Sequence, residues 1–181
     1  DSASGKMKKE QTIVVEGNLI TVINKGYTDV DSDVIQLIDL KTKTVYPGFI
    51  DMHVHIESES NPQAYLNRYL LNEADVAYDA AVYAKRSLMA GFTTVRDMGG
   101  SGVNIALRNA IAKGKTPGPR IFTAGKTLAS TGGHGDPTNG NKADFQGDPG
   151  PKEGVVNSVE DARKAVRQRY KNGADWIKIT A

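Results

Sequence analysis

The sequence has 181 residues, 39% of them hydrophobic and 24% charged, and 23 Lys+Arg against 21 Asp+Glu leave a formal net charge of +2. This composition excludes a disordered, collagen-like or coiled-coil chain, and a charge so near balance gives no electrostatic case for nucleic acid or an anionic membrane. No apolar run approaches the roughly 20 residues of a spanning helix, and a Cys count of 0 excludes disulfides and thiolate metal sites while leaving the compartment open between cytoplasmic and periplasmic or secreted.

In chain order, the first stretch reads as short strands. Thr12–Glu16 and Leu19–Asn24 are apolar runs joined by Gly17-Asn18, a hairpin signal, and Val34–Leu40 is a third β-rich run. Pro47-Gly48 then breaks the chain before the run Phe49-Ile-Asp-Met-His-Val-His55. Beyond it, helices alternate with short strands. Glu73–Ala90 has helical periodicity, with Val76, Ala77, Ala80, Ala84 and Leu88 on one face and Gly91 closing it. Thr93–Arg96 is a strand, Val103–Lys113 a helix closed by Gly114, and Arg120–Ala124 another strand. Ser158-Val-Glu-Asp161 approximates a capping box for a helix that carries Ala162, Val166 and Tyr170 on one face, and Trp176–Thr180 is the last strand. Strands and helices alternating at this spacing predict βα units and a parallel sheet. The intervening stretch 125–157 is long, rich in Gly, Asp, Pro and Asn, and centred on Gly132-Gly-His-Gly135, so it is expected to serve function.

The residues with chemical potential are few. His53 and His55 are one residue apart in a predicted strand, so their imidazoles share a face and can meet one metal ion; Asp51, one step deeper on that face, could orient a ligand. The bland alternative is two unrelated histidines. Lys178 sits in the predicted strand Trp176–Thr180, which a doubly covered parallel sheet would bury, so it should lose its proton, find a partner, or snorkel out at the strand end. His134 lies in its glycine loop either as a substrate contact or as a surface residue. Arg96 and Asp97 are expected to pair and fix a loop, and Glu57-Ser-Glu59 to be a solvated turn. Gly100-Ser-Gly102 begins a dinucleotide-like pattern, but Ile105 stands where the third glycine belongs, which leaves a tight turn before a helix.

The run Thr44-Val-Tyr-Pro-Gly-Phe-Ile-Asp-Met-His-Val-His55 resembles the metal-dependent amidohydrolase superfamily. The resemblance continues through Gly91-Phe-Thr-Thr-Val-Arg-Asp-Met-Gly-Gly100, Gly118-Pro-Arg-Ile121, Thr131-Gly-Gly-His-Gly135 and Gly173-Ala-Asp-Trp-Ile-Lys178. Together these motifs are most similar to the imidazolonepropionase-like branch that includes Xaa-Pro dipeptidases and related metal-dependent carboxypeptidases. The resemblance implies an α/β fold: residues 1–46 as part of a small β-sandwich domain, and 47–181 as the first four βα units of a (β/α)8 TIM barrel. It implies a hydrolase of a peptide or amide bond in a small substrate, most directly an Xaa-Pro dipeptidase, with two divalent metals, zinc by expectation. His53 and His55 would be ligands, a CO2-derived carbamate on Lys178 would bridge the metals, and His134 would contact substrate. The family's general-base aspartate and two further histidines belong to later strands and are not in this sequence. A full barrel takes about 250 residues, and the sequence opens at Asp1, so it is expected to be a fragment whose partner is the remainder of the barrel. Hydrolysis of a cyclic amide, and a non-catalytic barrel module, are the alternatives.

Overall fold

The computed structural model describes residues 3–29 and 34–180, and the chain divides into two compact units, Asp1–Pro47 and Gly48–Ala181. In the first, strands β1 (Gln11–Glu16) and β2 (Leu19–Lys25) pair antiparallel across the Gly17-Asn18 turn, where Gly17 takes a positive φ of 61°. A bulge between Val14 and Val15 shifts the register, and Thr12 Oγ1 ties the open end to the Gly26 carbonyl at 2.8 Å. The run Val34–Leu40 forms no strand. Its β-branched residues have the propensity, but no described strand lies beside them to supply a ladder, and propensity alone does not hold a strand.

The second unit carries a parallel sheet of β3 (Phe49–Val54), β4 (Phe92–Asp97) and β5 (Arg120–Thr123), in that order. Helices α1 (Ala64–Leu70) and α2 (Glu73–Met89) follow β3, α3 (Val103–Ala112) joins β4 to β5, and α4 (Ala143–Gln146) and α5 (Val159–Asn172) follow. The mixed α/β architecture and parallel sheet agree with the sequence periodicity. The core lies between the sheet and helices: Ile56, Ala80, Ala84, Val95, Leu107 and Ile121, with Val54, Ala81, Phe92 and Ile111 packed against them. Ala80 and Ala84 are fully buried on the predicted face of α2, where small side chains let the helix approach the strands closely. Asn72 and Asp75 cap α2 reciprocally, and Ser158 caps α5 by accepting from the Asp161 amide at 3.1 Å.

Two expectations fail in this unit. On α5 the buried residues are Ala165 and Arg169, whereas Val166 and Tyr170 are exposed. The helix is rotated toward hydrogen bonding: Arg169 Nε donates to the Lys126 carbonyl at 2.8 Å and Nη1 to the Lys152 carbonyl at 3.3 Å, satisfying loop carbonyls that would otherwise be stranded. The predicted strand Trp176–Thr180 is an extended segment with one parallel bridge, Leu128 to Ile179. The Leu128 amide donates to the Lys178 carbonyl and the Thr180 amide to the Leu128 carbonyl, both at 2.9 Å. Just before it, Asp175 turns onto the end of β5, its amide on the Thr123 carbonyl and its carboxylate on the Thr123 amide, both at 2.8 Å. No helix among the described residues is long and apolar enough to cross a membrane.

Candidate active-site cleft

An open cleft of about 930 Å³ lies at the ends of the strands and is lined by His53, His55, His134 and Lys178 together. These four residues come from the end of β3, the loop after β5 and the last extended segment, so the fold gathers what the sequence scatters. His53 and His55 stand edge to face with ring centroids 5.6 Å apart, as side chains two residues apart on one strand face should. His55 Nδ1 lies 2.7 Å from the Gly99 carbonyl, which leaves Nε2 of the ring for another partner.

Asp51 does not share that face. The β3–β4 register is irregular between Asp51 and Val54, and Asp51 lines a second, shallower cleft with Val54, Phe92 and Arg86. Its carboxylate accepts from the His53 backbone amide at 2.9 Å, so it braces the main chain of the histidine and not its ring. Lys178 is half-buried and not enclosed as a doubly covered strand would enclose it. Because the segment pairs through a single bridge, its side chain stays open to the cleft.

His134 is exposed at the cleft wall on a turn that Asp136 organises. The Asp136 carboxylate accepts from the Gly132 amide at 2.9 Å, the Thr138 amide at 2.9 Å and the Thr138 hydroxyl at 2.8 Å. The Gly132 amide, helped by Thr138, holds this buried carboxyl below its ordinary pKa against the opposing effect of burial. Opposite this turn, α1 is tied over the cleft by Arg68, which donates to the Pro137 carbonyl at 2.6 Å, and by Tyr65 and Tyr69, both on Asn141.

The expected Arg96–Asp97 pair is absent. Successive strand residues face opposite ways: Arg96 donates to the Met52 carbonyl at 2.7 Å and stacks on Trp176, while Asp97 turns into the interior. There Asp97 Oδ1 accepts from the Gly99 amide at 2.8 Å and from Asn104 Nδ2 at 3.4 Å, and Oδ2 has no hydrogen-bond partner. Burial pushes the carboxyl up to about 6; the Gly99 amide, the nearby Ile56 amide and Asn104 pull against it, and Glu57 adds to the rise. Nor is Glu57 a solvated turn. It reaches across to accept from the Ser101 and Asn104 amides, each at 2.6 Å, and so caps the start of α3 where N–H groups and the helix dipole favour an anion. Glu57 and Arg169 work through partners 17 to 47 positions away, and no local pattern marks them.

Among the described residues, no three His, Cys, Asp or Glu side chains come together as a metal site. His53 and His55 nevertheless fit part of one: both rings meet at the cleft, and the Gly99 contact occupies Nδ1 of His55 and leaves its Nε2 without a partner among the described contacts.

The model of the amidohydrolase family matches residues 44–181. The chain belongs to the amidohydrolase family. It is 49% identical to a Xaa-Pro dipeptidase solved with methionine bound in its active site, with a TM-score of 0.82 over 92% of this chain and 41% of that one. A prolidase solved with N-methylphosphonate-L-proline is 34% identical, with a TM-score of 0.77 over 99% of this chain and 43% of that one. Among curated proteins, ochratoxinase of Aspergillus niger is 29% identical over 156 residues, 78% of this chain and 32% of that protein. The chain thus spans about a third of that curated relative and about two fifths of the solved dipeptidase.

Proposed function

We propose that this amidohydrolase chain is the N-terminal part of a metal-dependent hydrolase that cleaves a peptide bond in a small substrate, most directly an Xaa-Pro dipeptide. The observation that carries the reading is the convergence of His53, His55, His134 and Lys178 on one cleft. The likeness to a Xaa-Pro dipeptidase at 49% identity supports the substrate class. In this reading residues 1–46 are part of a small β-sandwich domain, 47–181 are the first βα units of a (β/α)8 barrel, and the remaining strands complete the site.

His53 and His55 would hold a divalent metal, and Lys178, as a carbamate, would bridge it to a second. Bound there, such metals supply Lewis-acid polarisation of the scissile carbonyl and activation of water near neutral pH. The chain's own residues do the positioning. Asp51 fixes the His53 main chain, the Gly99 carbonyl orients His55, and the turn held by Asp136 presents His134 to the substrate from the facing wall. The half-open setting of Lys178 leaves its Nζ accessible to CO2, the reagent a carbamate requires.

The test is metal analysis and a substrate panel on the protein at its natural length, supplied with zinc and bicarbonate. About two metal ions per subunit and hydrolysis of Xaa-Pro dipeptides are expected. Activity confined to ring amides would overturn the peptidase reading, and absence of metal would favour a non-catalytic module. Lys178→Ala should lose at least one of the two metals and most of the rate; an unchanged rate with both metals retained would remove the carbamate from the scheme.

A further inference from the structure

We propose that Asp97 is a positioning residue that selects the tautomer of His55 through the Gly99 peptide. The inference rests on the reading of His55 as a metal ligand, but its geometry stands by itself. A carbonyl oxygen accepts and cannot donate, so an imidazole nitrogen 2.7 Å from the Gly99 oxygen must carry the proton. The neutral ring is therefore Nδ1–H, and its lone pair is on Nε2, facing the cleft. Which tautomer His55 adopts is decided by where the Gly99 carbonyl points.

That direction is set by the turn from Asp97 to Gly100, and both peptides flanking Gly99 are held from the interior. Before it, the Gly99 amide donates to Asp97 Oδ1 at 2.8 Å; after it, the Gly100 amide donates to the Gly125 carbonyl at 2.8 Å. Asn104, itself fully buried, ties the two anchors together, its Nδ2 lying 3.4 Å from Asp97 Oδ1 and 3.3 Å from the Gly125 oxygen. Gly99 sits at φ 137°, a conformation that other residues rarely adopt, and a Cβ there would lie 2.2 Å from Thr127 Oγ1. Glycine takes up such a φ without strain, so the hydrogen bonds on its flanking peptides, and not a preference of its own, fix where its carbonyl points. Asp97 supplies the hydrogen bond directly on the Gly99 amide, and it uses one oxygen only: Oδ2 makes no bond. The role is therefore that of an acceptor, which an amide oxygen could fill equally well.

The experiment reads the ring nitrogens of His55 by 15N NMR in metal-free protein of natural length, assigned by comparison with His55→Gln. Wild type should show the Nδ1–H tautomer. Asp97→Ala should show a mixture of tautomers and bind Zn2+ about 10- to 100-fold more weakly, the usual effect of removing a group that orients a ligating histidine. Asp97→Asn, whose carbonyl oxygen can occupy the Oδ1 position, should keep both the tautomer and the affinity. An Nε2–H ring in the wild type, or an unchanged Nδ1–H ring in Asp97→Ala, overturns the inference. Should the alanine variant fail to fold, Asp97→Leu, which keeps the volume and removes the acceptor for the Gly99 amide, decides: an unchanged Nδ1–H ring there overturns the inference. If the tautomers behave as described while wild type binds no Zn2+, the metal-site reading fails and the role of Asp97 stands.

Discussion

Replacing Asp97 by Asn should make the protein progressively more stable than wild type as the pH rises from about 4 to about 7. The carboxyl is fully buried, and its pKa is raised from 3.8 to about 6 chiefly by burial. Between those values the folded protein retains a proton that the unfolded chain has released. The stability linked to that proton is complete below the unfolded value and is lost as the pH climbs through the folded one. A shift of about two pKa units corresponds to about 3 kcal/mol, of which about 2 kcal/mol develops between about pH 4 and about pH 7. The asparagine side chain keeps the acceptor for the Gly99 amide and cannot ionise, so it escapes this loss. Urea unfolding of both proteins across that range, followed by circular dichroism with a chelator present, measures the difference between the two pH profiles. The asparagine variant can begin below wild type, because its amide N–H group meets no partner where Oδ2 meets none; only the change with pH matters. Parallel profiles would mean that Asp97 titrates like an exposed carboxyl, and the burial argument would be wrong.

Three further outcomes test the framework around the cleft. Gly99→Ala meets both a positive φ and the Thr127 hydroxyl, and should lower stability by about 2 kcal/mol or more; a thermal midpoint equal to wild type would show that the turn relaxes freely. Ser158→Ala removes the side-chain acceptor at the start of α5 and should cost about 1 kcal/mol in denaturant unfolding, an effect that Ser158→Asp should largely avoid. Arg169→Met keeps the apolar stem but leaves the Lys126 and Lys152 carbonyls without their donor, at a cost of about 1–3 kcal/mol. Hydrogen exchange should then rise along 126–129 and 150–156 before it rises in the sheet, and uniform exchange would sink this account of the arginine.

Much of the framework was legible because it is written in local patterns. The face of α2 follows from residues spaced at helical intervals, and Ala80 and Ala84 are buried where that spacing puts them. The cap at Ser158 follows from a short polar side chain just ahead of a helical run. His53 and His55 share a face because strand geometry has a period of two, and their rings do meet. The alternation of strands and helices yields a parallel sheet because each helix carries the chain back to the end at which the preceding strand began. Each of these depends on residues within a few positions of one another.

What only the tertiary structure decided depends on residues far apart in the chain. Propensity favours a strand over Trp176–Thr180, but in the fold that segment pairs through a single bridge to Leu128, and Lys178 stays half-open beside the cleft. The face of α5 was chosen by carbonyls at Lys126 and Lys152 that need an arginine, not by its apolar stripe. Glu57 found its amides at the start of α3, 44 and 47 positions away. Buried polar groups must be satisfied wherever their partners lie, so the sequence by itself determined the hairpin, the three parallel strands, the helices α2, α3 and α5 and the metal-type residues, while long-range hydrogen bonding decided how the cleft holds them.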